Sequence, residues 1–346
     1  MRTNIFLAHT EYHLLMSIHI ATTKHSGDHI KNIIYLTKTP ARFNTLSKIE
    51  KVENIILKVL DDLTRAEILH KLKNISCERF FFFQEDSIYN CCLAKKLKDK
   101  NNTIICLGPD GYKPYAVYKK KHEYLSMLRN TLEDYKELFQ NKIFPSFLQL
   151  SWRYRYATSA LIDEIYLTHP ESLHKQNNAG HAEIAKIPEF SEATLINAGM
   201  IFNAADFNFP IFDSSIYYFN QPIHPQLEDV EFDFLKNLIA HFPNKAIYIK
   251  LHPLTTNDMK EKYLGLKQTE LLDIKVPAEL FILNLKNSVL LSGWSSVLIT
   301  QNSSCNYYFN LPIYKNKGSK ATDQSDLTIL PHIKLISSPQ EIEFPS

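Results

Sequence analysis

Five consecutive residues, Arg79-Phe80-Phe81-Phe82-Phe83, form a run so apolar that both of its faces must be covered. A run this short reads as a strand, and a strand covered on both faces belongs inside a parallel sheet flanked by helices. The neighbouring sequence fits that frame. Asn4–Ala8, Lys31–Leu36, Ile55–Val59 and Thr103–Leu107 read as further strands. Tyr12–Thr22, Arg65–Leu72 and Ser87–Leu97 read as the helices between them. Repeated strand–helix alternation predicts an α/β architecture with a parallel sheet. Residues 115–160 are longer, aromatic and helical, and read as an insert over a cleft; Glu164–Thr168 then returns to strand.

The alternation starts again in the second half. Ser215–Phe219, Ala246–Leu251 and Ser288–Leu291 read as strands, with Asn306–Phe309 and Ile333–Ser337 as late short ones. Val230–His241 and Glu279–Lys286 read as helices, and another helix opens near Ser296. Between the halves, residues 169–196 are polar and irregular, so the connection is placed there or shortly after, up to about residue 212. At 346 residues the chain is long enough for two domains. The division expected is 1–195 and 196–346, two α/β halves with a cleft between them.

Composition excludes several classes. A formal net charge of +2 gives no argument for nucleic acid as a partner. The five cysteines show no CxxC spacing, and their odd number and apolar neighbours point to reduced, buried thiols in a cytosol. The apolar start of the chain is interrupted by His9, Glu11 and His13, which argues against a signal peptide. No apolar run approaches the roughly 18 residues of a membrane span.

Four short stretches carry chemistry. In Ala246-Ile247-Tyr248-Ile249-Lys250-Leu251-His252-Pro253, a buried strand leads straight into a His-Pro pair. Pro253 cannot donate to a strand ladder and biases His252 toward extended backbone, so an imidazole is expected at the C-terminal edge of the sheet. Ligands of open α/β sheets bind at that edge. The pair reads either as a turn cap or as an acid near neutral pH. Gly293-Trp294-Ser295-Ser296 follows a second apolar strand, and reads as a helix cap or as a phosphate site at a helix start. Gly108-Pro109-Asp110-Gly111-Tyr112 follows the strand Thr103–Leu107, and reads as a turn or as a carboxylate at a ligand edge. In Val276-Pro277-Ala278-Glu279, the acid sits in a helix first turn or accepts hydrogen bonds from a ribose diol.

Taken in order, the Asp-Gly motif, the strand ending in His-Pro, the Pro-x-Glu helix start and the Ser-Ser pair resemble the bacterial GT-B sialyltransferases, of the capsule polysialyltransferase and lipooligosaccharide sialyltransferase type. His252 and Glu279 are 27 residues apart, and Glu279 and Ser295 are 16 apart, close to what that family leads one to expect. Tyr218-Phe219-Asn220-Gln221-Pro222 resembles the strand that opens the family's second domain. One departure is that Pro109 stands where the family often has a second carboxylate before the catalytic one.

The resemblance implies two facing Rossmann-like domains with a central cleft. It implies Asp110 as general base on an acceptor hydroxyl and His252 as general acid on the CMP phosphate. Ser295 and Ser296 would hold that phosphate and Glu279 the cytidine ribose, with Lys250, Gln221, Pro253 and Gly293 as further donor-side residues. Thr10, Glu11 and Tyr112 are the expected acceptor-side residues. The donor would be CMP-sialic acid, the acceptor a surface glycan, and transfer would invert the anomeric centre. No cofactor or metal is expected, because the leaving group carries one phosphate and has its own acid. A cytoplasmic location is implied, with peripheral contact at the inner membrane left open. Transfer from CMP-Kdo or CDP-glycerol, a nucleotide-sugar epimerase and a non-catalytic binding protein remain as alternatives. Acceptor sugar, linkage and oligomeric state are open.

Overall fold

The computed structural model describes residues 1–37, 51–60, 63–118, 123–145, 155–177, 180–202, 213–221, 225–252, 255–272, 277–315 and 325–345. They divide into two compact units, Met1–Phe207 with Asp326–Thr328, and Asn208–Ser325 with Ile329–Ser346.

The first unit runs β1 (Arg2–Ala8), α1 (Glu11–Thr23), β2 (Ile30–Thr37), β3 (Lys51–Val52), β4 (Ile55–Leu60), α2 (Arg65–Leu72), β5 (Arg79–Phe82), α3 (Ile88–Asn101), β6 (Ile104–Leu107), β7 (Ala116–Tyr118), α4 (Glu123–Gln140), β8 (Glu164–Leu167), β9 (Glu183–Lys186) and α5 (Glu192–Ile201). Eight strands form one sheet in the order β3-β4-β2-β1-β5-β6-β8-β9. Every pairing in it is parallel except β3 with β4. Phe80, Phe81, Phe82 and Phe83 are at most 1% exposed, so the run that predicted a doubly covered strand is covered on both faces. Phe81 stacks on Phe6 of the neighbouring strand at 4.3 Å.

The second unit runs β10 (Ile216–Phe219), α6 (Glu228–His241), β11 (Ile247–Lys250), α7 (Asn257–Leu264), β12 (Thr269–Leu272), α8 (Ala278–Ile282), β13 (Ser288–Ser292), β14 (Cys305–Phe309), α9 (Leu311–Lys315) and β16 (Ile333–Leu335), while β15 (Ser325–Leu327), which precedes β16, lies almost wholly in the segment Asp326–Thr328 of the first unit. The sheet of the second unit is wholly parallel, in the order β12-β11-β10-β13-β14-β16. Strand β15 instead pairs with β7 as a separate two-stranded sheet. In each large sheet the order reverses beside its first strand, between β1 and β5 and between β10 and β13. Such reversals are where open α/β sheets bind ligands.

The structure corrects several boundaries. Residues 169–196 are not irregular: they contain β9 and the start of α5, which crosses the 195/196 division, and the units part at 207/208, inside the stretch up to about residue 212 expected for the connection. Strand β9 escaped notice because it lies at the sheet edge with mostly exposed side chains, so it shows no apolar alternation. Helix α7 and strand β12 were likewise missed. The helix read as Glu279–Lys286 is the shorter α8, and the helix near Ser296 is a single 3-10 turn, Ser296–Ile299. Among the described residues of the aromatic stretch 115–160, α4 is the α-helical part. All five cysteines are buried and free. Among the described residues no helix is long and apolar enough to cross a membrane.

Candidate functional site

In the first unit the chemistry collects at the carboxyl ends of β1, β5 and β6. Thr10 caps α1, its hydroxyl accepting from the His13 amide at 3.1 Å. That cap sets the first turn of α1 and brings His13 back over the sheet edge. The His13 ring is 1% exposed and lies flat on Phe83, with centroids 4.6 Å apart. The His9 backbone N–H donates to His13 Nδ1 at 3.4 Å, which leaves the proton on Nε2. His13 Nε2 then donates to Asp110 Oδ1 at 3.0 Å. Lys113 Nζ donates to Asp110 Oδ2 at 3.1 Å, and to Asp86 Oδ2 at 3.1 Å.

Asp110 keeps 22% of its side chain exposed, enough to be reached from solution. Burial alone would raise its carboxyl. The hydrogen bond from His13, together with the charge and hydrogen bond of Lys113, more than reverses that and holds it well below the usual carboxylate range. The site therefore presents an ionised carboxylate on a fixed frame. Gly111 turns the chain beside it at φ +58°, a left-handed conformation that glycine adopts without strain.

Gly108 has a packing role. A Cβ there would stand 2.3 Å from Phe83 Cε1, and that ring is stacked on His13. Gly108→Ala is therefore expected to push Phe83 into His13 and to destabilise the first unit by about 1–3 kcal/mol, the usual cost of overpacking. Thermal unfolding reads this directly, and an unshifted midpoint would show that Phe83 yields freely.

Thr10 and His9 also line a cavity of about 320 Å³ with Thr37, Arg65, Gln84 and Asn90. Burial, with His13 and Arg65 nearby, pushes the His9 imidazole down to about 4. Its two nitrogens bond Thr37 Oγ1 at 2.8 Å and the Asn90 amide at 3.1 Å. Glu11 is half-buried at the start of α1. Tyr112 is 7% exposed, and its hydroxyl donates to the Thr328 carbonyl at 2.9 Å, so this phenol already holds the fold together.

In the second unit, β10, β11 and β13 bring Gln221, Lys250, His252 and Gly293–Ser296 to one sheet edge. His252 N–H donates to Asn220 Oδ1 at 3.3 Å. Thr255 Oγ1 donates to the same oxygen at 2.8 Å, and Thr255 N to the His252 carbonyl at 2.9 Å, closing a turn. Pro253 lies outside the described residues. Gln221 is half-buried, its amide donating to the Asn220 carbonyl at 3.1 Å. Glu279 is 4% exposed in α8. Burial pushes its carboxyl up, against its own backbone N–H and the charge of Lys250. Ser292 Oγ donates to the Phe219 carbonyl at 2.8 Å and accepts from the Ser295 amide at 3.1 Å, tying the Gly293–Ser296 turn to β10. Ser295 Oγ accepts from Val297 N at 3.3 Å, as a cap does, and retains its own proton. Ser296 is half-buried.

Sequence reasoning did not assign Asp86, Lys113 or Asn220, nor His13 as the partner of Asp110. Gln84-Glu85-Asp86 could have been noticed, since it ends the most apolar strand of the chain. The pairing of His13 with Asp110 spans 97 positions and leaves no local signal. Among the described residues no group of three His, Cys, Asp or Glu is placed to hold a metal ion.

No family model matches the chain, and no curated protein matches it significantly. Solved structures do resemble it. The GT-B domain of a sialyltransferase from Photobacterium damselae is 13% identical, with a TM-score of 0.48 over 97% of this chain and 100% of that one. A 2,6-sialyltransferase from another Photobacterium, in complex with donor product CMP and acceptor substrate lactose, is also 13% identical, with a TM-score of 0.48 over 89% and 71%. UDP-GlcNAc 2-epimerase from Neisseria meningitidis, bound to UDP-GlcNAc, is 11% identical, with a TM-score of 0.45 over 84% and 77%. The fold is mixed α/β, with two Rossmann-like units, each built on a largely parallel sheet.

Proposed function

We propose that this chain is an inverting glycosyltransferase of the GT-B sialyltransferase kind. It moves sialic acid from CMP-sialic acid to a hydroxyl of a bacterial surface glycan. The observation that carries the reading is Asp110, an ionised and reachable carboxylate at a parallel-strand end, held on both oxygens by His13 and Lys113. Such a group is ionised and fixed in place to take a proton as the hydroxyl attacks, and its lowered pKa makes it a weak base before that step. The order of motifs supports the donor assignment, with His252, Glu279, Ser295 and Ser296 in the second unit.

The step balances as follows. Asp110 takes the proton of the acceptor hydroxyl as its oxygen bonds to the anomeric carbon. The bond from that carbon to the phosphate oxygen breaks. His252 gives a proton to the departing CMP phosphate. Ser295, Ser296 and Lys250 meet the negative charge where it grows. Thr10 and Glu11 border the acceptor side. The leaving group has its own acid, so the reading needs no divalent ion.

The deciding experiment incubates the purified protein with a panel of CMP-sugars, CDP-glycerol and UDP-sugars, without acceptor, and follows slow nucleotide release. CMP release from CMP-sialic acid above all others supports the reading. Preferred release from CMP-Kdo or CDP-glycerol would reassign the donor, and release from none would remove the function.

A further inference from the structure

Beneath the donor-side edge of the second unit lies a carboxylate that the reaction above does not use. Glu231, on α6, is 0% exposed. Among the described residues its hydrogen-bond partners are neutral donors. The Tyr218 hydroxyl and the Asn220 amide, the latter at 3.3 Å, donate to Oε1, and the Tyr263 hydroxyl donates to Oε2 at 2.8 Å. They come from β10, from the residue just past its end, and from α7.

The network reaches both turns of the sheet edge. With its NH2 turned to Glu231, Asn220 must present Oδ1 the other way, and that oxygen receives the His252 amide and the Thr255 hydroxyl. On the other side, the Tyr218 and Tyr314 hydroxyls stand 3.4 Å apart. The Tyr314 ring supports Gly293, where an added Cβ would lie 3.4 Å from Cε2, and meets Trp294 edge to face at 5.4 Å.

We propose that Glu231 is a positioning residue that fixes the His252 turn through Asn220 and the Gly293–Trp294 turn through Tyr218 and Tyr314. That these turns carry the donor-binding groups rests on the function proposed above. The chemistry favours a carboxylate here. It accepts from three donors, and because the Tyr263 hydroxyl donates to Glu231, that hydroxyl is left to accept from the Asn220 NH2, which also donates to the Gln221 carbonyl at 3.0 Å. An apolar residue would suit a buried position as well for stability, but would remove one acceptor of that amide and free the Tyr263 hydroxyl to turn.

The test is amide hydrogen exchange on the unliganded full chain. Glu231→Gln places an NH2 among donors, and exchange at the hydrogen-bonded His252 and Ser295 amides is expected to rise about tenfold or more, the value of one hydrogen bond to a charged group. The double variant Glu231→Gln with Asn220→Asp restores a complementary amide–carboxylate pair, and should bring the His252 amide back toward wild-type exchange. A folded Glu231→Gln chain with unchanged exchange at His252 would overturn the proposal. Should that variant not fold, Tyr263→Phe removes one donor and keeps the ring. A smaller rise at His252 then supports the proposal, and no change overturns it. Where CMP-sugar turnover is measurable, kcat should fall more than KM rises. Exchange is read without ligand, so a chain that turns over no CMP-sugar would remove the proposed function and leave this test standing.

Discussion

Replacing His252 with alanine is expected to slow turnover of the CMP-sugar by roughly 10²–10⁴-fold, the usual share of a positioned acid. Binding of CMP should change far less. The reason lies in how the turn is held: Asn220 accepts from the His252 backbone amide, not from its ring, so the alanine variant keeps the turn. Single-turnover kinetics with calorimetry on the same protein separates the two effects. Unchanged turnover in a folded variant would exclude His252 as the acid.

Asp110→Asn should cut transfer to acceptor by a similar factor. It keeps the shape and removes the proton acceptor. CMP binding should survive, because Asp110 belongs to the first unit and the proposed donor contacts to the second. The pH behaviour is also specified. Folding lowers the Asp110 carboxyl below its ordinary 3.8, so its ionised form contributes stability that is full above that value and is lost as the pH falls below it. Above about pH 4 the base is therefore already ionised, and an acid limb of activity at higher pH must come from another group. Lys113→Met removes one of the interactions that lower this carboxyl, so its titration should move upward. Robust transfer by Asp110→Asn would move the search to Glu11, His9 and His13.

What the sequence showed and what it hid follow from how each residue makes its contacts. Arg79–Phe83 was legible because full burial writes itself into consecutive side chains. The positions of His252 and Asp110 just past strand ends were legible because the apolar runs before them stop at a proline or glycine turn. Their supports were not legible. Asn220 seemed part of a turn, and its role depends on Glu231 from another helix. His13 could be seen as a histidine but not as the partner of Asp110, since only the closed sheet joins them. Strand β9 and strand β12 were lost for a different reason: edge strands with exposed side chains carry little apolar pattern. Pro109 broke the expected acidic pair. The second carboxylate near Asp110 is Asp86, reached through Lys113 from the adjacent strand end.

The pairing of β7 with β15 bears on how the protein is made. The Thr328 amide donates to the Tyr115 carbonyl at 2.8 Å, and the Thr328 carbonyl receives the Tyr112 hydroxyl, so the loop after Asp110 is finished by residues near the far end of the chain. A ribosome must synthesise nearly all of the second unit before that segment emerges, on the order of ten seconds at ordinary rates. Until then the nascent first unit carries the loop after Asp110 without one of its struts. A fragment ending at residue 207 would stay in that state, and co-expression with the missing C-terminal piece is the natural way to complete it.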